Sequence, residues 1–200
     1  MKALTLALIP TLLLAACGRT AAPPPPAPET TPPPAAATPA APTAAQAAIA
    51  GPASKTNPAK RTNNISGTLQ LVTGTDGVLI TGDIMGLKAN STHGFHVHEN
   101  GDCSGTDFKS AGGHFNPDNQ MHGNPDSTMH HLGDLPNIKA DAKGIATVNA
   151  TVKGATLGDG GPHDILGKSL VVHAKADDYK SQPAGNSGDR IACGVIERLP

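Results

Sequence analysis

Residues 93–99 read His-Gly-Phe-His-Val-His-Glu, and the two-residue alternation of a β-strand puts His96 and His98 on one face of that stretch. Two imidazoles projected side by side can share one metal ion. Alone the pair is a weak signal, because exposed polar strand faces carry the same pattern. Downstream lie His114, His122, His131 with Asp134, and His173, so six histidines and one carboxylate are available for ligation. Nitrogen-rich donor sets of this kind suit copper and zinc.

These residues need strands to hold them, and the sequence supplies a β rhythm. Residues 64–72 alternate, residues 73–77 are turn-formers, and 78–87 alternate again, which predicts a hairpin. Further strands are expected at 93–99, 144–153, 169–173 and 190–197. The long loop between the third strand and Ile145 carries most of the histidines, and a loop of that length in a small domain calls for function or bound metal to order it. No segment has helical periodicity, so an antiparallel barrel or sandwich is expected.

Composition narrows the function classes. Two hundred residues allow one domain and an appendage, with a net charge of −1. Basic residues are scattered, and with one tyrosine and no tryptophan there is little to stack a base, so no nucleic-acid partner is expected.

The N-terminus reads as a targeting segment. Lys2 supplies a positive charge, residues 3–14 an apolar core, and Leu14-Ala-Ala-Cys17 a small-residue cleavage site. That ending resembles the lipobox of bacterial lipoproteins, which implies a signal peptide over 1–16 and lipid on Cys17. The apolar run is short of the roughly 20 residues of a membrane-spanning helix. Residues 17–61 are dominated by Ala, Pro and Thr and read as a disordered polyproline II tether. About forty such residues could hold the domain up to ~100 Å from a membrane. The domain is then expected over 62–200, in the bacterial cell envelope and facing the periplasm or the exterior.

Five segments now carry a resemblance. His-Gly-Phe-His-Val-His-Glu at 93–99, Ala-Gly-Gly-His-Phe-Asn-Pro at 111–117, His-Leu-Gly-Asp-Leu at 131–135, Leu-Val-Val-His-Ala-Lys-Ala-Asp-Asp at 170–178 and Gly-Asp-Arg-Ile-Ala-Cys-Gly-Val-Ile at 188–196 resemble the signature segments of the copper/zinc superoxide dismutases, in that family's order. The resemblance covers 64–197. It implies an all-β fold, an eight-stranded antiparallel Greek-key β-barrel with long metal-binding and channel loops. It also implies dismutation of superoxide to oxygen and hydrogen peroxide by alternate reduction and oxidation of copper.

Carried over position by position, the family pattern makes His96, His98, His114 and His173 the copper ligands. His114, His122, His131 and Asp134 become the zinc ligands, with His114 bridging the two metals. The intervals favour His131 over its neighbour His130. Asp177, with Asp178 as the adjacent candidate, resembles the carboxylate that accepts hydrogen bonds from a copper and a zinc ligand, here His96 and His122. His93 resembles a structural histidine that ties loops together, and His163 falls in a glycine-rich turn, where it is expected to be solvated. Arg190 is the residue expected to position the anion, with His114 supplying a proton.

With Cys17 committed to lipid, Cys103 and Cys193 remain as an even pair in an exported domain, expected to form a disulfide. Lys180 and Lys109 are candidates for steering the substrate. A copper- or zinc-holding envelope protein on the same barrel is the alternative, and a monomer and a homodimer are both compatible with the sequence.

Overall fold

The computed structural model describes residues 44–53 and 63–199. The signal segment, Cys17 and most of the expected tether lie outside the described residues. Among the described residues nine strands are formed: β1 (Ala44–Ala50), β2 (Ser66–Thr73), β3 (Gly77–Met85), β4 (Thr92–His93), β5 (Phe95–His98), β6 (Ile138–Lys139), β7 (Ala146–Lys153), β8 (Ser169–His173) and β9 (Arg190–Arg198). The only helical element among the described residues is one turn of 3-10 helix at Lys109–Ala111.

Seven strands make one antiparallel sheet in the order β5-β8-β9-β1-β2-β3-β7. The connections from β3 to β5 and from β7 to β8 each cross from one end of that order to the other, which is the Greek-key pattern. The pair β4–β6 joins the two edges, because β4 runs into β5 and β6 leads into β7. The expected third strand is split at Gly94, whose N–H donates to Lys175 O at 2.7 Å while its carbonyl accepts from His173 at 2.9 Å. The barrel fold is therefore as expected, with one strand in two pieces.

One expectation is corrected. Residues 44–50, assigned to the tether, form β1 in the middle of the sheet, paired with β2 on one side and β9 on the other. Its inward positions Ala45, Ala47 and Ile49 are buried. Alanine is a poor strand former in isolation, and here two neighbouring strands decide the conformation. The folded domain thus includes Ala44–Ala50 and does not begin at Thr62.

Elsewhere alternation sorts side chains as expected. Leu69 and Leu71 of β2, Val78, Ile80 and Ile84 of β3, and Val148 and Val152 of β7 fill the barrel. In β5, Phe95 and Val97 join that core, so His96 and His98 are turned to the opposite face. There they are buried beneath the long loops.

Candidate metal centre

The segments flanking the 99–137 loop's histidines are pinned to the free edge of β5. Val97 N–H donates to Gly133 O at 2.9 Å, Phe115 N–H donates to Val97 O at 2.8 Å, and Gly133 N–H donates to Phe115 O at 2.8 Å. A Cβ at Gly133 would collide with Val97 O, so only glycine lets the loop lie this close. This pairing sets His98 opposite His114 and His96 opposite Asp134. On the other side of β5, β8 pairs with β9 through a register shift after Val172, so that His173 is opposite Arg190. A bulge beside a site re-aims a side chain, and here it brings His173 and Arg190 to one cleft.

Two groups of ligand atoms result, each with all its atoms within 4.8 Å of one another: His96, His98, His114 and His173, and His114, His122, His131 and Asp134. His114 belongs to both. All seven residues are buried.

The ring nitrogens show which atoms are free. His98 Nδ1 lies 3.0 Å from Gly112 O and His173 Nδ1 lies 3.2 Å from Gly188 O, which leaves their Nε2 atoms facing each other at 3.4 Å. His96 Nε2 lies 2.8 Å from Asp177 Oδ2 and His122 Nε2 lies 3.0 Å from Asp177 Oδ1. His96 Nδ1, His114 Nε2, His122 Nδ1 and His131 Nδ1 are buried without a hydrogen-bond partner. Buried polar atoms rarely stay unpaired. Four of them aimed into the two groups are what a pair of metal ions would satisfy.

Asp134 has the matching arrangement. Its Oδ2 accepts from the N–H groups of His131 at 2.8 Å and Gly123 at 3.1 Å. Its Oδ1 then faces three ring nitrogens, His114 Nδ1 at 2.8 Å, His122 Nδ1 at 3.0 Å and His131 Nδ1 at 3.4 Å. Three imidazoles and one carboxylate are a four-ligand set suited to zinc.

Electrostatics favour the ligating forms of His98, His114, His173 and Asp134 and oppose that of His122. Burial lowers His98 well below the usual histidine range, His114 to about 4 and His173 to about 3, so these rings are neutral at pH 7. For Asp177 burial acts upward, but hydrogen bonds from His122 and His96 outweigh it and hold the carboxyl well below the usual carboxylate range. Asp134 is held down in the same way by His114, His122 and His131. For His122 burial acts downward, and the two carboxylates raise it to about 9.

Arg190 is half-buried and lines a cleft of about 400 Å³ together with His98, His114, His173, Glu99, Asn116 and others. Its terminal nitrogens donate to Phe108 O and Gly112 O, both at 2.6 Å. Cys103 and Cys193 are bonded, with Cα atoms 5.7 Å apart, and tie the 99–113 segment to β9. Phe108 packs with Cys193 and Val171 beneath it.

The remaining residues separate cleanly. His93 has both ring nitrogens engaged, by His173 O at 2.7 Å and Ser91 Oγ at 2.6 Å, and is a tie between loops. His130 lies outside both ligand groups, its Nδ1 2.7 Å from His131 O. Asp178 is exposed and organises its own turn through Lys180 N–H, Ser181 and Asn186, so of the two aspartates only Asp177 links the two groups. The His163 side chain is solvent-exposed as expected and outside both groups, its Nε2 3.1 Å from Asp118 Oδ1 at the surface. Lys109 is paired with Asp107 at 3.2 Å, and neither it nor Lys180 lines the cleft.

Sequence reasoning missed three residues. Asn137 Nδ2 donates to Asp177 O at 2.9 Å and Asn137 Oδ1 accepts from Asp177 N–H at 2.8 Å, while Asn137 N–H donates to the Tyr179 hydroxyl at 2.7 Å. Gln182 makes the equivalent pairing with His122. Amide side chains in loops carry no spacing signal that would have exposed them. Gly185, with φ +63°, lets the chain pass over the Asp177–His122 contact, where a Cβ would sit 2.7 Å from His122 Nε2.

A Greek-key β-barrel carrying two ligand groups joined by one shared histidine defines a dinuclear metalloprotein. Residues 65–196 match the family model described as copper/zinc superoxide dismutase (SODC), and the chain belongs to that family. It is 45% identical over 135 residues to the copper/zinc superoxide dismutase 2 of Aquifex aeolicus, covering 66% of this chain and 79% of that one. It is 43% identical over 142 residues to the extracellular copper/zinc superoxide dismutase of Brugia pahangi, covering 66% and 69%. Among solved structures, a variant of a SOD-like protein from Bacillus subtilis superposes with a TM-score of 0.66 at 35% identity, covering 76% of this chain and 96% of that one. The clock protein EA4 gives 0.65 at 37% identity, covering 79% and 96%.

Proposed function

We propose that this chain dismutates superoxide, two superoxide anions and two protons giving oxygen and hydrogen peroxide, as an exported enzyme anchored through lipid on Cys17. The observation that carries the reading is His114: it belongs to both ligand groups and lines the same cleft as Arg190. In this reading His96, His98, His114 and His173 hold copper, and His114, His122, His131 and Asp134 hold zinc. Copper supplies a one-electron acceptor and donor, and zinc a redox-silent positive charge.

The chain's own residues do the rest. Arg190, anchored by two carbonyls at 2.6 Å, presents a fixed cation to a small anion in the cleft. His114 Nε2 holds and delivers one of the two protons, and solvent delivers the other. His114 Nδ1 lies 2.8 Å from Asp134 Oδ1, on the zinc side, which leaves Nε2 to the copper side and the cleft. Asp177 fixes the tautomers of His96 and His122 by occupying their Nε2 atoms, so that Nδ1 is the ligating atom of each. Positive potential at Arg190 draws the anion in, an effect that weakens with salt.

Superoxide decay is measured with the full chain loaded with copper and zinc, and with zinc alone. Catalysis that requires copper supports the reading, and tight binding of both metals with negligible catalysis contradicts it. For the anchor, Cys17→Ala is expected to release the protein from the membrane fraction.

A further inference from the structure

The reading above leaves unexplained how the wall of the cleft is held against the zinc-side ligands. Pro183 and Ala184 form part of that wall, in the 174–189 segment between β8 and β9. The residue just before them, Gln182, reaches across to His122. Its Oε1 accepts from His122 N–H at 2.9 Å and its Nε2 donates to His122 O at 2.9 Å. One side-chain amide thus pairs with both main-chain groups of His122, as a neighbouring strand would, across a gap of sixty residues in sequence. His122 is buried, and its ring is held from the same segment by Asp177 at 3.0 Å.

We propose that Gln182 is a positioning residue that couples zinc occupancy at the His122 group to the position of the cleft wall, and so to the entry of small anions. The inference rests on the reading of His122 as a zinc ligand. Zinc fixes the His122 ring, the ring fixes its own main chain, and the Gln182 amide passes that constraint to Pro183 and Ala184. A neutral amide pairing is indifferent to the charge of the His122 ring, so this link is separate from the Asp177 carboxylate. Gln182 directly precedes the wall residues Pro183 and Ala184 in the chain, so the constraint has no intervening residue to cross.

The test uses the copper-loaded full chain with and without zinc, in wild type, Gln182→Met and Gln182→Glu. Methionine keeps the length and removes both hydrogen bonds. Glutamate keeps the acceptor for His122 N–H and removes the donor. Amide hydrogen exchange over 183–187 reads the wall, chelator competition reads zinc affinity, and azide, an anion that probes the copper, reads entry by absorbance titration. In wild type, zinc is expected to slow exchange over 183–187 about tenfold or more. In Gln182→Met the zinc effect on exchange is expected to fall below about threefold and azide affinity to lose its dependence on zinc. Zinc affinity itself should weaken about tenfold, the lower end for loss of an outer partner of a ligand, with Gln182→Glu intermediate. An equal zinc effect on exchange in wild type and Gln182→Met, or no zinc effect in wild type, overturns the proposal. If zinc fails to bind wild type with defined stoichiometry, the metal reading fails and takes this inference with it.

Discussion

Arg190 and His98 share one acceptor: the Gly112 carbonyl takes a hydrogen bond from the Arg190 guanidinium at 2.6 Å and faces His98 Nδ1 at 3.0 Å. One main-chain oxygen therefore contacts both the cation of the cleft and a ring of the proposed copper group. Its position depends on the 99–113 segment, not on β9. The proposed anion-binding geometry is therefore built from two distant parts of the chain.

Arg190→Ala is expected to lower the superoxide decay rate tenfold or more, about 1.4 kcal/mol or more of barrier, with copper and zinc content unchanged. The residual rate should also depend less steeply on salt, because the cation that draws the anion in is gone. Metal analysis beside stopped-flow decay checks this, and full activity in the variant would remove Arg190 from the mechanism.

The Cys103–Cys193 bond holds the carbonyl partners of Arg190 against β9 across 90 residues of chain. Replacing both cysteines by serine should lower the unfolding free energy by up to about 4–5 kcal/mol on loop entropy. Activity should fall further than metal content does, since Phe108 and Gly112 lose their tether. Urea unfolding and metal analysis of the double variant separate the two effects.

A chain beginning at Thr62 lacks β1, the strand between β2 and β9. It is expected to fail to fold cooperatively, because its sheet is split and two new edges are exposed. A chain beginning at Pro39 should fold. Circular dichroism on the two chains decides it.

That boundary marks where the sequence stops being legible. Leu69, Ile80 and Val148 announce their strands by alternation, and the histidines of the two groups announce themselves by type and interval. Ala45 and Ala47 do neither, since alanine is compatible with tether, helix or strand, and only the neighbours β2 and β9 decide. Asn137, Gln182 and Gly185 are silent for a related reason: their work is done on main-chain groups far away in sequence, which no local pattern encodes.

The metal-free protein should be most stable near pH 6.5. His114 and His173, at about 4 and about 3 against an ordinary 6.5, contribute stability fully present above pH 6.5 and lost as pH falls toward those values. His122, raised to about 9, contributes stability present below pH 6.5 and lost as pH rises through 9. Urea midpoints from pH 3 to 10 should trace both limbs. Metal loading should steepen the acid limb, because the same imidazoles must be neutral to bind.

The most direct test is the rate of superoxide decay as copper is titrated into the zinc-loaded chain. The account predicts a linear rise that stops at one copper per chain, with a rate constant approaching the diffusional ceiling of ~10⁸–10⁹ M⁻¹s⁻¹. A rate that stays at the uncatalysed level while one copper binds per chain would contradict it.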